Sequence, residues 1–445
     1  MLRDAWTLAI ETLSWIELKR LGERLALTKA TKQLKIGDPK AVGYAHRLVS
    51  ETLRKKNLID HMLNTVLAPK TVNDYKLGTR AFLRLYVYET KLTDGNIDKA
   101  ARIARMGRSI LGWHQLNDVE EVLGEILAVN PKNLLKGLDE TEKVGLQTYH
   151  PAWFVKYCYK LLGRYEALKF LEQSAEITPT YIRLNTLKAA EDMLLKELEQ
   201  ENITVEKVPQ LKHTYKPNET KKPLPRTQSH QQGLFFIQDK ASCLAAEVAD
   251  PKKGTTVLDV CAASGAKTTY LAQLMENSGE IISVDYSKRR MGAWQRETER
   301  MDAKNVYPIV VDVRKSIPVN VSADLVILDP PCTSTGTFGK SPDAKWRLTR
   351  RSIHGMAKIQ SEMIQQCAGH VKEGGFLVYS TCSITVEENE MVIEHFLKTN
   401  PEFNLVKQKP RIGLSGLRGQ AKCQRLYPHI HECNGFFIAK LKKTA

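Results

Sequence analysis

Two cysteines at the ends of apolar, strand-like runs pose the chemical question in this chain. Cys382 lies in YSTCSITVEENE, and Cys332 in ILDPPCTSTG, three residues after Asp329. A thiolate is a strong nucleophile even when only a small fraction of it is ionised near neutral pH. Burial alone would raise a thiol's pKa, so a cation or a helix terminus is expected beside the attacking sulfur. Pro330 and Pro331 cannot continue a central strand, so the chain must leave the sheet there and present Asp329 and Cys332 at its carboxyl edge. If the strands ending in ILDPP and YSTCS are neighbours, two thiols and a carboxylate converge over one cleft.

A cofactor site is expected beside them. In TVLDVCAASGAKTTYLAQL a strand runs through Cys261, Ala262, Ala263, Ser264, Gly265, Ala266 and Lys267 into a helix. Unpaired backbone N–H groups and the helix dipole favour an anionic group at such a turn, and small side chains let the backbone approach it. The stretch is not GxGxxG, and GAKTT lacks the first glycine of the phosphate-binding GxxxxGK[ST] loop, which argues against a nucleotide triphosphatase. Asp285 in IISVDYS and Asp312 in IVVDVR end the next two strands. The first suits ribose hydroxyls and the second an adenine amino group. Either alone reads equally well as a helix N-cap, but the pair, at the spacing of consecutive βα units, favours a cofactor.

The elements that must position these groups follow from periodicity. Residues 1 to about 145 are helical almost throughout, with cationic faces at Arg54, Lys55 and Lys56 and at Arg80 and Arg84, and 150–174 continue as helix. TPTYIRLNTL, AAEDMLLKELEQEN and ITVEKVPQL read as strand, helix and strand, and 216–233, rich in Pro and Lys, as a surface loop. From there TVLDVCA, EIISVDYS, VYPIVVDV, ADLVILDPPC and GFLVYSTCS alternate with helices, the pattern of a parallel sheet covered on both faces. RLYPHIHECNGFFIAKLKK would add an antiparallel hairpin at the sheet edge. The partition is an all-α domain at 1–145, a small α/β, RRM-like module with its loop at 146–232, and a Rossmann-like α/β domain at 233–445.

Composition narrows the partner. The 445 residues carry 66 Lys plus Arg against 50 Asp plus Glu, a formal charge of +16 that recurs along the chain, which points to a polyanion, RNA or DNA ahead of an acidic membrane. Eight cysteines, at 158, 243, 261, 332, 367, 382, 423 and 433, form no CxxC pair, so a reducing compartment is expected, with Cys158 and Cys367 in the core. Cys423, His429, His431 and Cys433 match no common zinc spacing, and no metal is expected. Charges interrupt the N-terminal helix, and no apolar run approaches membrane-spanning length, so a cytoplasmic protein is expected, without membrane or protein partner and monomeric.

CAASGAKT, LDPPCTSTG and YSTCSITVEENE, in this order, resemble the signatures CAAPGGKT, DAPCSG.G and STCS...EENE of the Sun-family, RsmB-type RNA cytosine-5 methyltransferases. FIQDKAS, IRLN at 182–185, RLYPH and GFFIAKL also look like that family, so the resemblance covers residues 150–445. The helical N-terminal region is similar to the NusB-like RNA-binding domain of family members of this length. The resemblance implies a class I methyltransferase sheet that binds S-adenosylmethionine along Cys261–Lys267, with Asp285 on the ribose, Asp312 near the adenine and Asp329 beside the methyl donor and target base. It implies Cys382 as nucleophile and Cys332 as the residue assisting product release. Three positions depart from the family. Ser264 replaces Pro, Ala266 replaces Gly, and Pro330 replaces Ala; a positive φ at Ala266 would cost on the order of 1 to 2 kcal/mol.

This chemistry explains the groups. Carbon 5 of cytosine is a poor nucleophile until a thiolate adds at carbon 6, and protonation of ring nitrogen 3 by Asp329 would stabilise the adduct if that acid keeps its proton in an apolar site. The base must be single-stranded or flipped out. Lys267 could donate to the base or neutralise the cleft. Arg183, Asn185, Lys340, Lys345, Arg347, Arg350 and Arg351 are candidates for the RNA backbone. Glu387 and Glu388 read as the first turn of the following helix. The substrate expected is ribosomal RNA, with transfer RNA, or a catalytically weakened assembly factor that binds ribosomal RNA, as alternatives. DNA cytosine methylation is disfavoured, because those enzymes use the cysteine of their Pro-Cys motif as nucleophile.

Overall fold

In the computed structural model of the protein, which describes residues 1–130, 134–318 and 320–444, the chain divides into two compact units. The first comprises Met1–Ile177 together with Phe338–Arg347. Its helices follow the periodicity of the sequence: Leu2–Lys19, Glu23–Leu34, Pro39–Arg54, Lys56–Leu67, Leu77–Lys91, Ile97–Leu111 and Glu120–Ala128 enclose a core that includes Trp6, Leu48, Leu63, Phe82 and Leu85. Capping fixes several boundaries. Asp38 accepts from the N–H groups of Lys40 and Ala41, and Asp139 forms a capping box with Glu142. The helical stretch at 150–174 is two helices, Ala152–Leu162 and Arg164–Ala175, parted at Gly163 with φ 75°.

The expected cationic faces of this unit are corrected. Arg84 is buried and paired with Asp60 and Glu17, Arg80 with Glu17, and Lys56 with Asp60, while buried Arg54 donates to the Ala175 carbonyl. Helical periodicity places a side chain on a face but does not reveal a carboxylate opposite it on another helix.

The second unit, Thr178–Thr337 and Leu348–Ala445, contains two sheets. The smaller one is built from β1 (Ile182–Leu184), β2 (Ile203–Lys207), β3 (Thr214–Thr220) and β4 (Phe235–Ile237) in the order β2-β3-β1-β4, antiparallel throughout. Part of the stretch read as a loop at 216–233 therefore belongs to β3, and it also forms the short helix Gln228–Gln231. Only the start of β3 is buried, so main-chain pairing holds it in place of an apolar face. Pro217 is tolerated where the register shifts at Thr204/Val205, because a bulge leaves a backbone position without its ladder bond.

The larger sheet carries β5 (Thr256–Val260), β6 (Glu280–Asp285), β7 (Val306–Val310), β8 (Ala323–Leu328), β9 (Val371–Thr381), β10 (Phe403–Leu405), β11 (Leu414–Ser415), β12 (Gln424–Leu426) and β13 (Phe436–Lys443). Its order is β11-β12-β13-β9-β8-β5-β6-β7, with β10 also on β13. Strands β7, β6, β5, β8 and β9 run parallel, and β13 lies antiparallel to β9. The C-terminal hairpin forms as expected, but its β13 is interior and buried, with β12 and β11 beyond it. Chain order reverses between β5 and β8, so a crevice opens beyond the carboxyl ends of those strands. Apolar layers on both faces enclose the sheet, one around Leu244, Tyr270 and Ile327 and the other around Val326, Ile364 and Phe396.

Candidate active site

Five strand ends meet at that edge. β5 leads through Cys261, whose φ is 65°, to Gly265 and the helix Ala266–Leu274; β6 ends in Asp285; Asp312 follows β7; Asp329 and Cys332 follow β8; and Cys382 follows β9. Gly265 is the N-cap residue with φ 101°, a backbone conformation in which any other side chain would be strained. Ala266 begins the helix with ordinary right-handed geometry, so the cost considered for a positive φ at that position does not arise. Ser264 does not cap this helix.

A cavity of about 270 Å³ opens here, lined among others by Cys261, Asp285, Tyr286, Asp312, Arg314 and Met363. Asp285 is fully buried; its Oδ1 accepts from Ser287 N–H at 3.0 Å, and its Oδ2 has no hydrogen-bond donor although Arg290 lies 3.2 Å away. A buried carboxylate oxygen without a donor fits a ligand that brings hydroxyl groups. Asp312 is held by Arg314, whose Nε donates at 2.9 Å, and this pairing pulls its carboxyl below the usual range. In β5, Asp259 accepts from the Thr268 hydroxyl at 2.6 Å, and burial raises its carboxyl to about 6. Arg290 donates to the Ala263 carbonyl, tying the small-residue loop to the helix Lys288–Arg300.

The cysteines converge. Cys332 Sγ and Cys382 Sγ lie 3.0 Å apart, and Ser334 Oγ is 3.6 Å from Cys382 Sγ. The bond between the sulfurs divides their character: it is the main cause lowering the Cys382 thiol, against burial, and with burial it raises that of Cys332 well above the ordinary range. The group that favours ionisation of Cys382 is thus a neighbouring S–H, where a cation or helix terminus had been expected. Lys267 Nζ sits 2.5 Å from Asp329 Oδ2, and Ser380 Oγ donates to Asp329 Oδ1 at 3.2 Å. Burial works against the Lys267 ammonium, but Asp329 overrides it and raises its pKa. Asp329 therefore faces a cation and a hydroxyl, where protonation of ring nitrogen 3 had required an apolar site.

Several expected RNA contacts are overturned. Arg183 and Asn185 are completely buried. Arg183 donates to Thr269 Oγ1 at 2.9 Å with its guanidinium over the Tyr270 ring, and Asn185 donates to the carbonyls of Gly233 and Met301. IRLN is thus an internal brace joining the small sheet to the larger one. Lys345 is buried as well, donating to the carbonyls of Arg54 and Tyr149, whereas Arg347 pairs with Asp343 but stays exposed. Arg350 and Arg351 are exposed at the start of the helix Arg350–Ala368.

The acidic run after Cys382 is the main feature that sequence reading missed. The following helix starts only at Glu390, and Glu388, assigned to its first turn, is fully buried among hydroxyl groups. Glu390 is buried in an ion pair with Arg425, which also donates to the Ile384 carbonyl at 2.8 Å. Asn389 accepts from Thr381 Oγ1 and donates to the Ser383 carbonyl. The available signal was the density of Ser and Thr at 333–337 and 380–385, which supplies a cluster of hydroxyl donors for a buried carboxylate.

A parallel sheet reversing at β5/β8, with acids closing its ligand-facing ends beside a small-residue turn, defines a Rossmann-like methyltransferase. Residues 246–442 match the family model of 16S rRNA methyltransferase RsmB/F, residues 151–240 that of the N-terminal domain of 16S rRNA methyltransferase RsmF, and residues 3–106 the NusB family. The chain is 30% identical over 446 residues to a probable ribosomal RNA small subunit methyltransferase B of Bacillus subtilis, covering 98% of both chains. It is 38% identical over 221 residues to a tRNA (cytosine(72)-C(5))-methyltransferase of Pyrococcus horikoshii, covering 50% of this chain and 55% of that one. The crystal structure of PH0851 superimposes with a TM-score of 0.85 at 30% identity, covering 100% of this chain and 99% of that one. The chain belongs to the RsmB/F methyltransferase family. Among the described residues no helix is long and apolar enough to cross a membrane.

Proposed function

We propose that this protein methylates carbon 5 of a cytosine in ribosomal RNA. The observation that carries the reading is the pair of sulfurs 3.0 Å apart at the ends of adjacent β8 and β9, one thiol lowered and the other raised in pKa. Cys382 attacks carbon 6 as the thiolate, making carbon 5 nucleophilic. The raised thiol of Cys332 is protonated when attack occurs and lies next to the sulfur that must later depart. Once Cys382 is bonded to carbon 6 its charge beside Cys332 is gone, and Cys332 can release its proton to water; as the thiolate it takes the hydrogen from carbon 5, directly or through a water, while the C–S bond breaks and returns its electron pair to Cys382. S-adenosylmethionine, when bound, supplies an electrophilic methyl group. Asp285, whose Oδ2 receives no hydrogen bond, would hold the ribose, Asp312 the adenine end, and the Cys261–Lys267 turn the remainder. Asp329, fixed by Lys267 and Ser380, would then face the target base and the methyl donor.

The test is methylation of ribosomal RNA lacking the modification. Cys382→Ala is expected to abolish transfer, and Cys332→Ala to accumulate a protein–RNA adduct that survives denaturing electrophoresis. Full activity in both variants would reject the mechanism. Transfer RNA is a second reading, favoured by the 38% identity with a tRNA methyltransferase across half the chain. Offering both RNAs to the same preparation decides between them.

A further inference from the structure

Glu388 touches neither sulfur, yet its carboxylate is completely buried where three segments of the second unit meet. Oε1 accepts from the Thr333 backbone N–H at 2.8 Å and from Gln360 Nε2 at 3.0 Å. Oε2 accepts from Ser383 Oγ at 2.6 Å, from Thr385 Oγ1 at 2.7 Å and from the Thr333 hydroxyl. Thr333 directly follows Cys332, and Ser383 directly follows Cys382. One anion thus grips the residue next to each thiol. Five donors exceed the roughly four lone-pair directions of a carboxylate, so the group is saturated and acts only as an acceptor. An amide would turn two N–H donors toward donors already present.

Other bonds join the same loops. The N–H of Gly336 donates to the Cys382 carbonyl at 2.9 Å, Ile384 N–H donates to Thr335 Oγ1, and the Gly435 N–H donates to the Gly336 carbonyl. A side chain at Gly336 would collide with the Gly435 carbonyl, so this approach depends on glycine. These bonds set the backbone spacing several residues beyond Cys332. The residues adjacent to the two sulfurs also meet directly, Thr333 Oγ1 lying 3.4 Å from Ser383 Oγ, but that contact is long beside the short bonds through which Glu388 holds both, and a sulfur–sulfur hydrogen bond depends steeply on geometry.

We infer that Glu388 is a positioning residue, a charge-assisted clamp that holds the two thiols in hydrogen-bond contact and so keeps Cys382 ready to act as the nucleophile. The inference deepens the reading of Cys382 as the attacking group and rests on it. The charged and titratable groups facing Cys382 are Cys332, Asp329 with its partner Lys267, and Glu388 itself. Asp329 and Glu388 oppose ionisation of Cys382, and the Cys332 S–H favours it more strongly than Glu388 opposes it. Removing the clamp therefore raises the Cys382 pKa through the lost S–H contact, although one opposing charge is removed with it.

The experiment compares wild type with Glu388→Gln and Glu388→Asp. It measures the pH dependence of Cys382 alkylation by iodoacetamide, resolved by peptide mass spectrometry, together with kcat and KM for RNA and S-adenosylmethionine and a thermal unfolding curve. In Glu388→Gln, alkylation of Cys382 at pH 7.5 is expected to slow at least tenfold, with its profile displaced to higher pH. The kcat is expected to fall at least tenfold while KM for S-adenosylmethionine stays within twofold, and Glu388→Asp is expected to recover part of both losses. A folded Glu388→Gln with the wild-type profile and kcat would overturn the inference. If that variant does not fold, Thr333→Val combined with Ser383→Ala, which keeps the carboxylate and removes two of its donors, gives the same readout: a shift to higher pH supports the clamp, and an unchanged profile overturns it. A displaced alkylation profile in Glu388→Gln beside a wild-type protein that methylates no RNA would reject the proposed function alone, so the two failures are separable.

Discussion

Two thiols 3.0 Å apart cannot both ionise without placing like charges in contact, and that exclusion separates their roles. The sharing has a direction, because Cys382 is lowered by the Cys332 S–H while Cys332 is raised. With Cys332→Ala the chief favourable contribution is lost, and burial and the Asp329 charge then dominate. Alkylation of Cys382 in that variant, followed without RNA, is expected to need a higher pH than in wild type; an unchanged profile would show that the pair does not set the nucleophile. Cys382, Cys332 and Asp329 were legible because thiols and acids ending apolar strands have few structural uses. Glu388 was not, since an acid just ahead of a helix has an ordinary explanation and its donors lie as far away as residue 333. The burial of Arg183, Asn185 and Lys345 was equally illegible, because a cation's partners here are carbonyls and rings remote in sequence.

At the scale of elements, the sheet edge depends on the segment RLYPH as well as on the catalytic loops. Arg425 in β12 binds Glu390 at the start of the helix Glu390–Thr399 and the carbonyl of Ile384, two residues after Cys382. Both ends of this ion pair are essentially unexposed. Truncating Arg425 to alanine leaves a buried, uncompensated carboxylate and is expected to cost about 3 to 5 kcal/mol in urea unfolding. The double variant Arg425→Met, Glu390→Leu should lose less than Arg425→Ala alone, since neither charge is stranded. The parallel order of β7 to β9 was readable from continuous apolar runs bounded by turns, and the helical first unit from its 3.6-residue period. β3 was not, because half of it is exposed and its sequence, TYKPNET, carries the residues of a loop.

For the whole molecule, the segment Phe338–Arg347 matters beyond its length, because it leaves the second unit's sequence to complete the first. Lys345 donates to the carbonyls of Arg54 and Tyr149, Trp346 Nε1 to that of Leu53, and Phe338 packs edge-on against Phe154. Burial, with Arg54 adding to it and Glu51 opposing, pushes the Lys345 amine down to about 7. The folded value lies below the unfolded one, so between about pH 7 and the ordinary lysine range near 10 the unfolded chain binds the extra proton. Stability present at high pH is thus lost as pH falls through that window, and the loss is complete below it. Relative to Lys345→Met, which does not titrate, wild type should gain on the order of 3 kcal/mol between pH 7 and pH 10, measured by urea unfolding at each pH. A constant difference would show that the amine is not buried as described.

The same segment imposes an order in time. During synthesis the helices of the first unit emerge early, but the carbonyls of Leu53, Arg54 and Tyr149 must wait for donors that lie beyond the intervening residues 178–337. At roughly 5 to 20 residues per second, that delay is on the order of ten to thirty seconds. Throughout it the nascent helical unit remains unfinished, and the ribosome's own pace becomes part of how this methyltransferase reaches its native state.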